Sequence, residues 1–246
     1  MQENILLEVN NLQTIEKKEI SIYGTVFKEL SFTVLKNSIT TLFAPLGSGK
    51  STLMKKILTN NNSSINFFGQ KIYYVPQYSI LVEGINVEDN IRLYVPNADN
   101  EDVKKCLSIV GLEGYEKHIP IDISKGFILR VAIAIGFLIK ADLLLLDDVF
   151  LSMKYKTKID VFNLITELKN KYDKTFFITS SNFMDSVVVS NKILIAKGNP
   201  FELLFEENIE LIEDSVELRL QSESFLNIKD NLIKKLSEKN IRDFII

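Results

Sequence analysis

The residues of this 246-residue chain best placed to do chemistry are Ala44-Pro45-Leu46-Gly47-Ser48-Gly49-Lys50-Ser51-Thr52. The stretch follows an apolar run, Ile39 to Phe43, and leads into an amphipathic segment carrying Leu53, Met54, Ile57 and Leu58. A strand, a glycine-rich loop and a helix in that order turn backbone N–H groups and a helix N-terminus toward bound phosphate. Within the pattern G-x-x-x-x-G-K-[ST], Lys50 would reach the outer phosphates, Ser51 would help hold Mg²⁺, and Thr52 is the next hydroxyl available. Pro45, Leu46, Gly47, Ser48 and Gly49 would form the cradle. Ala44 stands where the first glycine belongs, so the loop must enter on an ordinary backbone angle. A glycine-rich turn that binds nothing is the plain alternative, and the strand-to-helix context argues against it.

A phosphate loop becomes an NTPase only when a carboxylate at the end of a neighbouring strand can hold Mg²⁺ and polarise water. Asp147 fits, because it follows the run Leu143 to Leu146 and would leave a rigid strand at the sheet edge. Asp148 stands beside it, where a general base belongs. The other use of two acids after an apolar strand is a solvated turn.

The elements that must position these groups alternate along the chain. Ile5 to Val9 and Phe32 to Val34 alternate like strands, with Tyr23-Gly24 as a turn between them. Asn37 suits the tight turn before the phosphate-loop strand, since asparagine tolerates the left-handed conformation. Asn60 to Ser64 closes the following helix, and Ile65 to Phe68 and Ile72 to Val75 are short strands leading to Pro76-Gln77. From Tyr78 to about Phe137 the pattern is helical, with Val103, Cys106, Leu107 and Val110 on one buried face and Gly111 and Gly114 as breaks. Ala141 to Leu146 reads as a parallel strand buried on both faces. Ile159 to Leu168 is an amphipathic helix, Thr175 to Thr179 a buried strand ending in Ser180-Ser181-Asn182, and Lys192 to Ala196 the last clear strand. Beyond Gly198-Asn199-Pro200, Phe225, Ile228, Leu232 and Leu236 mark a helical stripe. Alternating strands and helices of this kind give a doubly wound α/β core.

Composition narrows the function classes. With 46% hydrophobic and 25% charged residues the chain can bury a sizeable core, and a formal charge of −3 gives no broad basic face for nucleic acid. A single cysteine, Cys106, excludes an internal disulfide framework and belongs to the helical stripe. The polar, acidic start Met1-Gln2-Glu3-Asn4 is unlike a signal peptide, which points to the cytoplasm. Arg130, Lys140 and Asp142 interrupt the apolar stretch from Phe127 to Leu146, so a buried helix followed by a buried strand explains it better than a membrane span.

The phosphate loop, Val75-Pro76-Gln77, Ile123-Ser124-Lys125-Gly126-Phe127 with Arg130 to Ala134, and Leu143 to Asp148 occur in an order and spacing that resemble the nucleotide-binding subunit of ATP-binding cassette (ABC) transporters. The resemblance runs over nearly the whole chain. It implies an α/β P-loop NTPase core of the RecA-like, ABC type, with an inserted helical subdomain and an antiparallel β subdomain. Residues 1–77 would be the first part of the core, 78–138 the helical subdomain with the signature segment, 139–199 the rest of the core with the switch segment, and 200–246 a C-terminal helical tail. It also implies ATP and Mg²⁺ as cofactors and a transmembrane permease as partner. A second ATP-binding subunit, identical or not, would complete a head-to-tail dimer at the inner face of the membrane.

By resemblance, Tyr23 would stack on adenine, Gln77 would sense Mg²⁺ and touch the permease, and Ser124 with Gly126 would cap the γ-phosphate across the dimer interface. Ser124 can also cap the helix that follows it. Asp148 would be the general base, Ser181 the switch residue, and Ser51, Gln77 and Asp147 the metal set. Asp147-Asp148-Val149-Phe150 and the tail residues Arg219, Ser222, Phe225 and Leu226 resemble importers of the nitrate, sulfonate and taurine class.

Departures cluster where turnover is carried out. Asp148 replaces a glutamate, which draws the carboxylate back by about an ångström, and general bases contribute about 10²- to 10⁴-fold. Ser181 replaces a histidine, Lys154 an aspartate and Lys125 a glycine. The Lys125 ammonium could compensate in part by facing phosphate. His118, the only histidine, suits a surface or capping role. Three functions remain open: an ATP-driven transport subunit with a weakened base, a nucleotide-binding structural or regulatory subunit with little turnover, and a soluble cassette ATPase without a permease.

Overall fold

A computed structural model of the chain describes residues 4–14, 26–59, 63–78, 80–120, 124–198, 200–213 and 215–238. Among them the chain forms β1 (Ile5–Leu12), β2 (Leu30–Leu35), β3 (Ile39–Phe43), α1 (Lys50–Thr59), β4 (Ile65–Phe67) and β5 (Ile72–Val75). Then come α2 (Val87–Tyr94), α3 (Asn100–Ile109), α4 (Lys125–Leu138), β6 (Leu143–Asp147), α5 (Tyr155–Tyr172) and β7 (Thr175–Ser180). α6 (Phe183–Val189), β8 (Lys192–Lys197), β9 (Glu202–Asn208), α7 (Val216–Gln221) and α8 (Glu223–Glu238) complete it.

Two sheets result. A six-stranded sheet has the order β5-β6-β7-β3-β8-β9, parallel except for β9, and a three-stranded antiparallel sheet has the order β2-β1-β4. The continuous leucine run of β6 is explained by period-2 alternation between two apolar layers. Leu144 and Leu146 enter one core with Phe176, Ile178, Ile193 and the helices α3 to α6 and α8, while Leu143 and Leu145 enter the other with α1 and the small sheet. Helices therefore cover one face, and α1 with β1, β2 and β4 covers the other. This is the expected core with its helical insertion and antiparallel β subdomain.

The stretch from Phe127 to Leu146 is a buried helix and a buried strand, as expected, and among the described residues no helix is long and apolar enough to cross a membrane. Asn37 makes its turn at φ 54°. One expectation fails: Lys192 to Ala196 is not the last strand, and the region from 200 is not wholly helical. Glu202–Asn208 pairs antiparallel with β8, Ile195 opposite Phe205. It is an edge strand with no fully buried residue, so Leu203-Leu204-Phe205 between acids shows no alternation to read.

Candidate nucleotide site

β3, β7 and β6 lie side by side and run in the same direction, with Phe43 opposite Ser180 and Asp147 opposite Thr179. Their C-terminal ends therefore deliver the phosphate loop, Asp147 with Asp148, and Ser181 to one mouth of the sheet. In parallel α/β sheets that edge is where ligands bind.

The loop is built as its sequence requires. Its positive φ angles fall on Gly47 (72°) and Gly49 (113°), and Ala44 is fully buried with its N–H bonded to the Ser180 carbonyl. Ser48 N–H closes the turn on the Pro45 carbonyl, and Leu46 projects into solvent at the tip. Ser51 and Thr52 lie in the first turn of α1, whose N-terminus presents the positive end of the helix dipole.

Lys50 is 3% exposed, and its Nζ donates to the carbonyls of Ala44 (2.9 Å) and Pro45 (3.0 Å) and to Ser181 Oγ (2.7 Å). It also pairs with Asp148 Oδ2 at 3.1 Å. Burial pushes the Lys50 ammonium below its ordinary value, and the Asp148 carboxylate opposes that pull. Asp148 takes a left-handed backbone (φ 47°), which an aspartate accepts more readily than most residues. Ser181 Oγ lies 3.1 and 3.2 Å from its two carboxylate oxygens. Asp147 is 2% exposed and held from both sides: Tyr74 Oη donates to Oδ2 (2.8 Å) and Thr179 Oγ1 to Oδ1 (2.7 Å). Burial first, then the adjoining Asp147 charge, push the Tyr74 phenol well above its ordinary value, so it remains a donor.

The residues present suit a magnesium-bound polyphosphate. Ser48 Oγ is buried with no hydrogen-bond partner among the described residues, a donor left for a ligand. A Cβ on Gly47 would meet nothing within 4 Å, so the cradle is open at the loop.

Three contributors escaped the sequence reading. Tyr74 and Thr179 sit in strands that read only as apolar runs, and their polar ends become informative once β5, β6 and β7 are seen to be neighbours. Gly198 stands out in the sequence only as part of the Gly198-Asn199-Pro200 boundary. A Cβ there would lie 2.9 Å from Ser48 Cα, so the turn presses directly on the phosphate loop.

Ser124 caps α4, its Oγ accepting from Phe127 N–H at 3.2 Å, and a Cβ on Gly126 would lie 2.4 Å from Thr157 Cγ2 of α5. Gln77 follows β5 and lines an apolar pocket with Val75, Pro76, Ile80, Leu129 and Val149. Lys125 Nζ donates to the Leu151 carbonyl at 2.9 Å, in the loop after Asp148. His118 is exposed and stacks edge-on with Tyr115. Tyr23 and Ile123 lie outside the described residues.

A glycine-rich loop at a helix start, a buried lysine and paired acids at the end of β6, one strand removed from β3, define a P-loop nucleotide-binding protein. A family model described as ABC transporter matches residues 27–150. The zinc import ATP-binding protein ZnuC of Rickettsia bellii is 30% identical over 176 residues, covering 69% of this chain and 76% of that protein. The aliphatic sulfonates import ATP-binding protein SsuB of Bacillus thuringiensis is 27% identical over 244 residues, covering 90% and 95%. Among solved structures, cbiO1 of Clostridium perfringens, part of the ABC transporter complex cbiONQ, aligns with a TM-score of 0.72 at 18% identity, covering 94% of this chain and 96% of that one, which shows the shared fold. The chain belongs to the ABC transporter family, as one of its ATP-binding subunits.

Proposed function

We propose that this chain is the ATP-binding subunit of a membrane importer, working at the cytoplasmic face as a dimer of cassettes beneath a transmembrane permease. The convergence of the phosphate loop, Asp147, Asp148 and Ser181 on one mouth carries this reading. Relatives named as import proteins support the direction of transport. Loop amides from Pro45 to Lys50 would hold the phosphates, and Ser48 Oγ would gain its missing partner there. Mg²⁺ would neutralise phosphate charge, held by Ser51 and Asp147 with Gln77 reporting on it. Tyr74 and Thr179 keep the Asp147 carboxylate oriented. Asp148 would accept the proton of the attacking water, and Ser124 and Gly126 would serve the nucleotide of a partner cassette.

Lys50→Ala should abolish MgATP binding, measured by calorimetry on the folded protein; unchanged binding would sink the assignment. A second reading, a subunit that holds nucleotide with little turnover, is favoured by the Asp148 carboxylate being engaged with Lys50 and Ser181. Turnover in the complex with its permease no faster than that of Asp148→Asn would decide for it.

A further inference from the structure

Lys50 is saturated by its own chain. An ammonium has three protons, and four acceptors surround this one: two loop carbonyls, Ser181 Oγ and Asp148 Oδ2, at 2.7 to 3.1 Å. The carbonyls of Ala44 and Pro45 belong to the phosphate loop, while Asp148 and Ser181 come from the ends of β6 and β7. Those two also bond to each other, so they form one unit, a carboxylate braced by a hydroxyl, against the side of Lys50 that faces the neighbouring strands. The pair is buried, with side chains 3% and 10% exposed, so its charges are little screened by water.

We propose that Asp148 with Ser181 is an internal stand-in for a terminal phosphate, and that it sets the preference of this site between nucleoside triphosphate and nucleoside diphosphate. The inference rests on the nucleotide reading above. Loop amides cradle the inner phosphates, and Lys50 reaches both the β- and the γ-phosphate. A diphosphate asks Lys50 for one proton and leaves another for Asp148. A triphosphate has to displace the carboxylate and leave it charged and close to another anion, which is unfavourable in a poorly screened site. Both side chains contribute, since Asp148 reaches Lys50 and the Ser181 hydroxyl bridges the two. The consequence is a cassette that favours the diphosphate form until something outside the chain, such as a partner cassette, draws Asp148 away.

The test is calorimetric titration of the full chain with MgADP and with the non-hydrolysable triphosphate analogue MgAMP-PNP. Wild type should bind the diphosphate at least as tightly as the triphosphate. Asp148→Asn removes the charge and should tighten AMP-PNP by about tenfold while changing ADP by less than about threefold. Ser181→Ala, a milder change that keeps the fold if Asp148→Asn does not, should move the ratio the same way by a smaller factor. An AMP-PNP to ADP ratio unchanged in both variants overturns the proposal while leaving the nucleotide site standing. Binding of neither nucleotide to folded wild type overturns both.

Discussion

As the proposed base, Asp148 is one methylene shorter than a glutamate, and its carboxylate is engaged by Lys50 and Ser181. A longer acid in its place could reach past Lys50 toward the attacking water, and a histidine at 181 could contact the outer phosphate, which the serine hydroxyl does not span. The double change Asp148→Glu with Ser181→His should therefore raise ATP turnover in the assembled complex by at least about tenfold, a part of the roughly 10²- to 10⁴-fold that a well-placed base contributes. The single changes should recover much less, because groups acting as a unit are strongly non-additive. A steady-state assay of the four proteins checks this, and equal rates for all would mean that turnover is limited elsewhere. Tyr74 belongs to the same scale. Tyr74→Phe leaves Asp147 Oδ2 without its donor, so the Mg²⁺ concentration needed for half-maximal turnover should shift several-fold, by an amount consistent with about 1 kcal/mol for one hydrogen bond, while nucleotide binding without metal stays the same.

At the scale of elements, the sequence was most legible where local chemistry and tertiary packing agree. The phosphate loop, the left-handed turn at Asn37 and the Ser124 cap are each dictated by one or two residues, and the structure has all three. β9 was illegible because an edge strand need not alternate, and the bracing of Asp147 was illegible because it depends on which strands are neighbours rather than on spacing along the chain. The stripe Val103, Cys106, Leu107 of α3 was readable from its helical period, and all three are buried. Burial pushes the Cys106 thiol from an ordinary 9.0 up to about 11, with Asp102 adding to the effect. Below pH 9 the thiol is protonated in both folded and unfolded chains. Above it the unfolded chain releases the proton and the folded chain keeps it, so stability falls as pH rises toward 11. Denaturant unfolding should therefore show the wild-type advantage over Cys106→Ala shrinking by roughly 2 kcal/mol between pH 9 and 11. A constant difference across that range would mean the thiol is hydrated in the folded state.

For the whole molecule, the question is whether the region beyond β9 is an appendage or part of the core. α8 lies against α6, which begins immediately after Ser181 and Asn182, and Phe225, Leu232 and Leu236 are 1–2% exposed in the same apolar cluster as Ile178 and Phe183. Arg219 reinforces the join by donating to the carbonyls of Glu213 (3.0 Å) and Val188 (3.4 Å). α8 is thus coupled through α6 to the end of β7 that leads into Ser181. Truncating the buried ring of α8, Phe225→Ala, removes a fully buried aromatic from that continuous layer and should cost about 3–5 kcal/mol. Because the layer is shared, the loss should appear as one cooperative transition at lower denaturant, with circular dichroism and tyrosine fluorescence moving together. A separable tail predicts the opposite: an early transition confined to part of the helical signal, followed by unfolding of the remainder at the wild-type midpoint. Coincident curves would show that the stability of the nucleotide mouth depends on a helix more than 40 residues downstream of Ser181.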